Sequence, residues 1–187
     1  MNKIKFGTDG WRAIIAKDFT VDNVKRVAKA TADWVKKQDE HAKIVLGYDC
    51  RFGGPLFTEA AINVFCSNGI KVFFDKHFVS TPMISLAALE LGCEVGVIIT
   101  ASHNPKQWNA LKLLDGNGEF IDAAAGEKIL DIAEKENFRF VSVEQAGTTT
   151  TDDSLLSAHL QDVIEHTLVD VKAITKAGFK IVADFIN

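Results

Sequence analysis

The chain has 187 residues, of which 47% are hydrophobic and 25% charged, and its formal net charge at pH 7 is −4. A globular chain of this size buries about 70% of the surface that its unfolded form exposes, which is enough for an ordinary hydrophobic core. The composition excludes a disordered protein, a collagen and a disulfide-stapled mini-protein. The slightly acidic balance also argues against a general nucleic-acid binder and against a protein that binds anionic membranes.

Helices and strands are predicted to alternate from residue 20 to about residue 136. The helices have a 3.6-residue apolar period and begin at a capping residue or a proline; they are predicted from Thr20, from Pro55, from Thr81 and from Asp122 to Glu136. The strands are short, apolar and rich in β-branched residues; they are predicted over 43–48, 70–74 and 93–100.

A turn signal follows these elements. Asp115-Gly116-Asn117-Gly118 separates the apolar runs 111–114 and 119–121, which predicts a β-hairpin. Together the pattern predicts an α/β fold, in which residues 1–141 form a three-layer α/β/α domain with a mixed, mostly parallel sheet.

The remaining residues are predicted to leave this domain. Residues 142–153 are polar and threonine-rich and are interpreted as a linker. In 154–187 an amphipathic helix precedes an apolar segment, 179–187, that is predicted as the first strand of a second α/β domain. We therefore expect the sequence to be part of a longer chain.

One loop is predicted to carry chemistry. Residues 100–105 (TASHNP, the serine loop) directly follow the most apolar predicted strand, at the edge where open α/β sheets bind ligands. Asn104-Pro105 turns the chain, so Ser102 is expected on a tight, exposed turn, although Ser102 and Asn104 could equally serve only as turn residues. A serine hydrolase is disfavoured because G-x-S-x-G is missing and because adjacent extended residues, here Ser102 and His103, point to opposite faces.

Four motifs together resemble a known family. FGTDGWR (6–12), GYDCR (47–51), TASHNP (100–105) and N-x-x-K (109–112) occur in the order typical of the first domain of the α-D-phosphohexomutases, the phosphoglucomutase and phosphomannomutase enzymes. The resemblance covers about residues 3–140, and FKIVAD resembles the first strand of the family's second domain. This chain has Asn109-Ala110 where the family usually has Asn-Gly.

The resemblance implies a set of catalytic residues. Ser102 would be the phosphoserine that exchanges its phosphoryl group with a hexose phosphate through a hexose 1,6-bisphosphate. Arg12 would contact the phosphoryl group or the sugar phosphate, and His103 and Lys112 would act near the reacting hydroxyl, with Lys112 as the general acid/base. Positive charge and positioning are what phosphoryl transfer needs, which agrees with these residue types.

Other residues are expected in supporting roles. Thr8, Gly10 and Asn104 are predicted to support or bind the substrate, and Asp49 and Arg51 to form an ion pair that braces the serine loop. The resemblance also implies Mg²⁺, held by the phosphoryl oxygen of Ser102 and by an acidic loop of the second domain that this sequence does not contain. We therefore expect little or no mutase turnover from these 187 residues alone.

The resulting hypothesis is the N-terminal part of a phosphoglucomutase/phosphomannomutase. Its expected partner is a hexose phosphate, without nucleic acid or membrane; the alternatives are a phosphoglucosamine mutase and a non-catalytic phosphosugar-binding or regulatory protein. Residues 1–11 lack the apolar stretch of a signal peptide, which favours the cytoplasm. The three widely spaced cysteines are interpreted as small buried hydrophobes in a reducing compartment.

Overall fold

The computed structural model describes residues 4–7, 9–135 and 141–184. Its strands are β1 (Phe6–Gly7), β2 (Gly10–Ile14), β3 (Lys43–Tyr48), β4 (Lys71–Phe78), β5 (Val95–Ile99), β6 (Trp108–Asp115) and β7 (Thr149–Thr151). Its helices are α1 (Val21–Val35), α2 (Gly54–Cys66), α3 (Thr81–Glu90), α4 (Ala123–Lys135), α5 (Leu155–Glu165) and α6 (Val171–Ala177). A short 3-10 helix covers Val143–Gln145.

The strands form one mixed sheet in the order β1-β2-β6-β5-β3-β4-β7. Its core is parallel, because β3 pairs in parallel with β5 and β4, and β4 with β7; the pairs β5–β6, β2–β6 and β1–β2 are antiparallel. Helices α1, α2 and α4 share the larger hydrophobic cluster on one face, and α3 shares a second cluster on the other face with residues of α5. The predicted three-layer α/β/α architecture with a mixed sheet is confirmed.

Local capping explains where the predicted helices begin. Thr20 accepts a hydrogen bond from the backbone N of Asn23 at 3.3 Å and starts α1 as predicted. Helix α3 is capped by Ser80, one residue before the predicted start. The Ser80 hydroxyl accepts a hydrogen bond from the backbone N of Met83 at 3.4 Å. These signals lie within a few residues of each helix end, so the sequence predicts them well.

The predicted hairpin forms only in part. Strand β6 runs from Trp108, three residues earlier than predicted, to Asp115, but beyond the turn a single isolated bridge joins Leu114 to Phe120. The Asp115 carboxylate accepts from the backbone N of Asn117 and of Glu119, which shapes the turn, and the chain then enters α4. The sequence analysis also missed β1 and β2; β2 pairs with the distant β6, which is not a local property, and β1 pairs with β2.

The region after residue 141 differs from its prediction in two places. The predicted linker contributes β7, which pairs in parallel with β4; its run of β-branched threonines suits an edge strand. Helix α5 forms as predicted, but residues 179–184 form no strand among the described residues, where they have no neighbouring strand to pair with. Residues 185–187 lie outside the described part of the chain, and the division into two domains stays a prediction.

The three cysteines, all within the described residues, form no disulfide, and their burial is uneven. Cys93 is buried, and this burial raises the pKa of its thiol to about 12. Cys50 is exposed, so the expectation of a buried thiol is wrong at this position, which follows the end of β3.

Within the described residues, no helix combines the length and the apolar character needed to cross a bilayer.

Candidate functional site

Two loops meet at one edge of the sheet. Strands β3 and β5 are parallel neighbours, so the segment after Tyr48 and the serine loop after Ile99 leave the sheet side by side. The backbone N of Asp49 donates to the carbonyl of Ile99 at 3.2 Å and ties the two exits together. This is the edge at which the sequence predicted a ligand site.

Ser102 lies at the tip of the serine loop in a left-handed conformation. Its φ is 54°, and its side chain is exposed. The left-handed conformation costs a residue with a Cβ about 1 kcal/mol of conformational free energy. Two hydrogen bonds hold the turn: the N of Ser102 donates to Thr100 Oγ1 at 3.0 Å, and the N of Asn104 donates to the carbonyl of Ala101 at 3.0 Å. The surrounding loop therefore presents the serine hydroxyl to solvent in a fixed place.

Arg51 holds the serine loop through the loop's backbone carbonyls. Its guanidinium donates to four backbone carbonyls, from Nη2 to Ser102 (2.6 Å) and Asn104 (2.5 Å) and from Nη1 to Pro105 (3.1 Å) and Trp108 (3.1 Å). Only a planar fork with donors on two nitrogens reaches four acceptors at once. The predicted bracing role of Arg51 corresponds to this geometry.

Asp49 completes the brace. Its carboxylate accepts from the backbone N of Arg51 at 2.9 Å and lies 3.6 Å from Arg51 Nε, so the predicted ion pair is present. The same carboxylate accepts a hydrogen bond from Thr100 Oγ1. Thr100 Oγ1 in turn accepts a hydrogen bond from the backbone N of Ser102. Asp49 thus reaches Ser102 through one intervening hydroxyl.

His103 lies closer to Ser102 than predicted. Its Nδ1 is 3.3 Å from Ser102 Oγ, and both side chains are exposed. The expectation that the two point apart is wrong because it assumed an extended chain, whereas Ser102 is left-handed. The imidazole can therefore share a hydrogen bond with the serine oxygen.

Two cations lie on the neighbouring strands. Strands β2 and β6 pair so that Gly10 faces Lys112 and Arg12 faces Ala110. Cross-strand partners and residues two apart on a strand share a face, so Arg12 and Lys112 lie on the same face of the sheet. Gly10 permits this pairing: its φ is +130°, and a Cβ there would lie 2.3 Å from the carbonyl oxygen of Leu111.

Asp9 joins the two cations, a role that the sequence analysis missed. Asp9 Oδ2 lies 2.6 Å from Lys112 Nζ, and both carboxylate oxygens lie 3.3 Å from Arg12 Nη2. Lys112 is buried, with its Nζ also 5.3 Å from the centroid of the Phe120 ring. We call Asp9, Arg12 and Lys112 the Asp9 cluster; Asp9 stands in the FGTDGWR motif, which was the available signal.

Charge controls the ionisation of Asp9. Partial burial acts to raise the pKa of its carboxyl, but the hydrogen bond and charge of Lys112, together with the charge of Arg12, outweigh it. The pKa of Asp9 therefore lies below its ordinary value of 3.8, and the carboxylate is ionised at neutral pH.

The predicted site residues fall into two groups. Ser102, His103, Asn104, Asp49 and Arg51 form the serine-loop network, whereas Arg12, Lys112 and Gly10 belong to the adjacent strands. Strand β6 connects the groups, since the N of Thr100 donates to the carbonyl of Ala110 at 3.0 Å. In the part of the chain that the structure describes, no hydrogen bond or ion pair joins the Ser102 side chain to Arg12 or Lys112. Thr8 lies outside the described residues.

One group of side chains has metal-ligand spacing among the described residues. Asp75 and His77 lie in the second half of β4 and Asp153 follows β7, so the group is separate from the serine-loop network. His77 Nδ1 is 3.0 Å from Asp75 Oδ1, and Lys76 Nζ is 3.0 Å from Asp153 Oδ2. Protein groups already bond both carboxylates, so this cluster gives no sign of requiring an ion.

Known proteins share both this sequence and this fold. Residues 3–140 match the family described as phosphoglucomutase/phosphomannomutase, alpha/beta/alpha domain I. A phosphoglucosamine/phosphogalactosamine mutase of Sulfurisphaera tokodaii is 33% identical over 185 residues, which cover 97% of this chain and 39% of that protein. A phosphoglucomutase/phosphomannomutase of Thermococcus kodakarensis is 28% identical over 183 residues, with 97% of this chain and 39% of that protein covered.

A solved structure agrees with these relatives. The crystal structure of a Thermus thermophilus protein described as a phosphomannomutase is 30% identical and superimposes with a TM-score of 0.83, over 93% of this chain and 38% of that chain. This chain thus spans about two fifths of the length of these relatives. It belongs to the phosphoglucomutase/phosphomannomutase family of phosphohexomutases, and residues 3–140 are its α/β/α domain I.

Proposed function

We propose that this chain carries the phosphoserine of a phosphohexomutase, an isomerase that interconverts hexose 1-phosphate and hexose 6-phosphate. The observation that carries the proposal is the exposed Ser102 hydroxyl, held in a clamped left-handed turn at the carboxyl edge of the sheet. Family membership and the two cations on the adjacent strands support the same conclusion.

The proposed reaction transfers a phosphoryl group twice. A sugar hydroxyl oxygen bonds to the phosphorus on Ser102 while the bond between phosphorus and Ser102 Oγ breaks, which forms a hexose 1,6-bisphosphate. After the sugar reorients, Ser102 Oγ takes the other phosphoryl group and a hexose monophosphate leaves. Negative charge spreads over the phosphoryl oxygens during each transfer, and the Arg12 guanidinium is the group we assign to contact either the transferring phosphoryl group or the phosphate of the sugar.

The attacking hydroxyl must also lose its proton. We assign Lys112, whose Nζ lies 2.6 Å from Asp9 Oδ2, as the general acid/base: it takes this proton as the neutral amine, and the ammonium that forms, paired with Asp9, gives the proton back in the reverse transfer. His103, with Nδ1 at 3.3 Å from Ser102 Oγ, is assigned the hydrogen bond that orients the serine oxygen. Asn104 and Gly10 support the loop and the strand pairing that hold these groups, and Thr8 is retained as a supporting residue.

Mg²⁺ is the proposed metal, and it would supply positive charge to the transferring phosphoryl group. Ser102 would contribute a ligand through its phosphoryl oxygen. The carboxylate of the serine-loop network, Asp49, already bonds Thr100 and Arg51, so we assign the carboxylate ligands to a part of the protein outside the described residues. Consequently we expect little turnover from the 187 residues alone, measured by a coupled assay of hexose 1-phosphate conversion.

Glucose or mannose phosphate is the proposed substrate, with glucosamine phosphate as the alternative; the names of the relatives include all three sugars. A direct competition between the three monophosphates for the phosphorylated protein ranks them. The lack of a disulfide among the three described cysteines supports a reducing compartment, so we assign the protein to the cytoplasm.

Phosphopeptide mapping of the longest natural form of the protein tests the proposal. We expect hexose 1,6-bisphosphate with Mg²⁺ to place a phosphoryl group on Ser102, and hexose monophosphate to remove it. The Ser102→Ala variant should stay unmodified, whereas Ser142→Ala, which changes another exposed serine, should be phosphorylated normally. A folded protein that binds hexose phosphates but never carries phosphate on Ser102 would instead support a non-catalytic phosphosugar-binding protein.

A further inference from the structure

The Asp9 carboxylate bonds the positive groups that a substrate phosphate would need. It lies between Arg12 and Lys112 and within 3.3 Å of both. A carboxylate and a phosphate are recognised by the same kinds of donor. An incoming phosphate must therefore share or replace the contacts that Asp9 already makes.

The two contacts differ in strength. Lys112 Nζ approaches Asp9 to 2.6 Å, and the lysine side chain is 8% exposed. Arg12 uses one nitrogen, Nη2, at 3.3 Å from both carboxylate oxygens, and its side chain is 36% exposed. Since a short, shielded ion pair is stronger than a long, solvated one, Arg12 is the partner that exchanges more readily.

Space for an anion lies beside the exchangeable partner. A cavity of about 320 Å³ is lined by Lys5, Asp9, Arg12 and Trp108 among others. Lys5 adds a further positive charge to its wall, whereas Asp9 is the acidic residue of the lining. With two positive side chains and one negative one in its wall, the cavity favours an anion once the Asp9 carboxylate no longer pairs with Arg12.

We propose that Asp9 is a positioning residue that substitutes for the substrate's phosphate in the empty site, holding Lys112 in place and releasing Arg12 to the incoming phosphate. The inference rests on the proposed function for the identity of that anion. It assigns a role to a residue of the FGTDGWR motif that received none in the sequence analysis. It also makes a counterintuitive prediction, because removing a residue of the site should strengthen ligand binding.

Calorimetric titration of the 187-residue chain with inorganic phosphate, and separately with glucose 6-phosphate, measures this effect. Asp9→Asn keeps the shape of the side chain and removes its charge, and we expect Kd to fall about tenfold. The matched control Glu90→Gln removes the same charge from the exposed end of α3, before β5, and should change Kd by less than about twofold. In Arg12→Gln the gain from Asp9→Asn should disappear, because the exchanging partner is gone.

A second readout tests the positioning of Lys112. Acetylation by a water-soluble ester, followed by mass spectrometry, should modify Lys112 several-fold faster in Asp9→Asn than in the wild type, with exposed Lys17 unchanged in both. Asp9→Glu, which keeps the charge, should stay close to wild type in both measurements and covers the case in which Asp9→Asn misfolds.

The outcomes separate the inference from the proposed function. Unchanged or weaker phosphate binding by Asp9→Asn overturns the inference while leaving phosphate binding, and so the proposed function, in place. Binding of neither ligand by any variant also overturns the inference, and phosphopeptide mapping of Ser102 then decides the proposed function on its own.

Discussion

Replacing Arg51 by lysine tests what holds the serine loop. The change keeps the positive charge but removes the planar fork that reaches four carbonyls in two directions. A lysine ammonium is a single point and cannot span acceptors on both sides. If the lysine ammonium stayed beside the carbonyl of Ser102, the carbonyls of Pro105 and Trp108 would lose their donor.

The magnitude follows from those lost bonds. A hydrogen bond to a charged donor contributes about 1.5–3 kcal/mol, so losing two of four costs about 3 kcal/mol in the loop. Arg51 is shielded, with 13% of its side chain exposed, so water replaces the donor incompletely. Domains of this kind have about 5–15 kcal/mol of stability, so Arg51→Lys should stay folded while its loop loosens.

Hydrogen exchange resolves the loop from the whole domain. The amides of Asn104 and Trp108 close the loop onto Ala101 and Pro105, and their protection should fall by about a hundredfold in Arg51→Lys. Urea unfolding measures the global loss in parallel.

A matched control separates the clamp from the general effect of the substitution. Arg26→Lys changes another hydrogen-bonded guanidinium, on α1, and should leave loop protection unchanged. Equal protection in wild type and Arg51→Lys, with an unfolding free energy within about 0.5 kcal/mol, would refute the reasoning.

Three further expectations concern single positions. The free energy of unfolding of Ser102→Gly should exceed that of Ser102→Ala by about 1 kcal/mol, because glycine adopts the left-handed conformation without strain. Equal stabilities of the two variants in urea would contradict this. Gly10→Ala should lose more than about 3 kcal/mol through its clash with β6, whereas Gly126→Ala, whose added Cβ would meet an ordinary contact at 3.9 Å, should gain up to about 1 kcal/mol; thermal unfolding compares them. Since the pKa of Asp9 lies below 3.8, its stabilising contribution is complete above that value and is lost as the pH falls through the lower folded pKa. The stability difference between wild type and Asp9→Asn should therefore be constant well above pH 3.8 and shrink as the pH falls below that value, and a difference that stays constant there in urea titrations would exclude this linkage.

Local signals made most of the fold predictable. Thr20 caps α1 through contacts within three residues, and the β-branched run that became β5 needs burial on both faces wherever it lies. Errors arose where structure depends on a distant partner. Residues 179–184 have a strand-like composition but no described neighbour, while the polar 149–151 segment found one in β4.

The sequence by itself determined the serine loop: its turn residues and its place after the most buried strand. Only the tertiary structure decided what surrounds Ser102. The Arg51 clamp and the Asp9–Lys112 pair join residues far apart in the chain. Their contacts depend on strand order and register, which are set by the packing of the whole sheet and not by any local pattern. The approach of His103 to Ser102 likewise depends on one backbone angle that the surrounding hydrogen bonds impose.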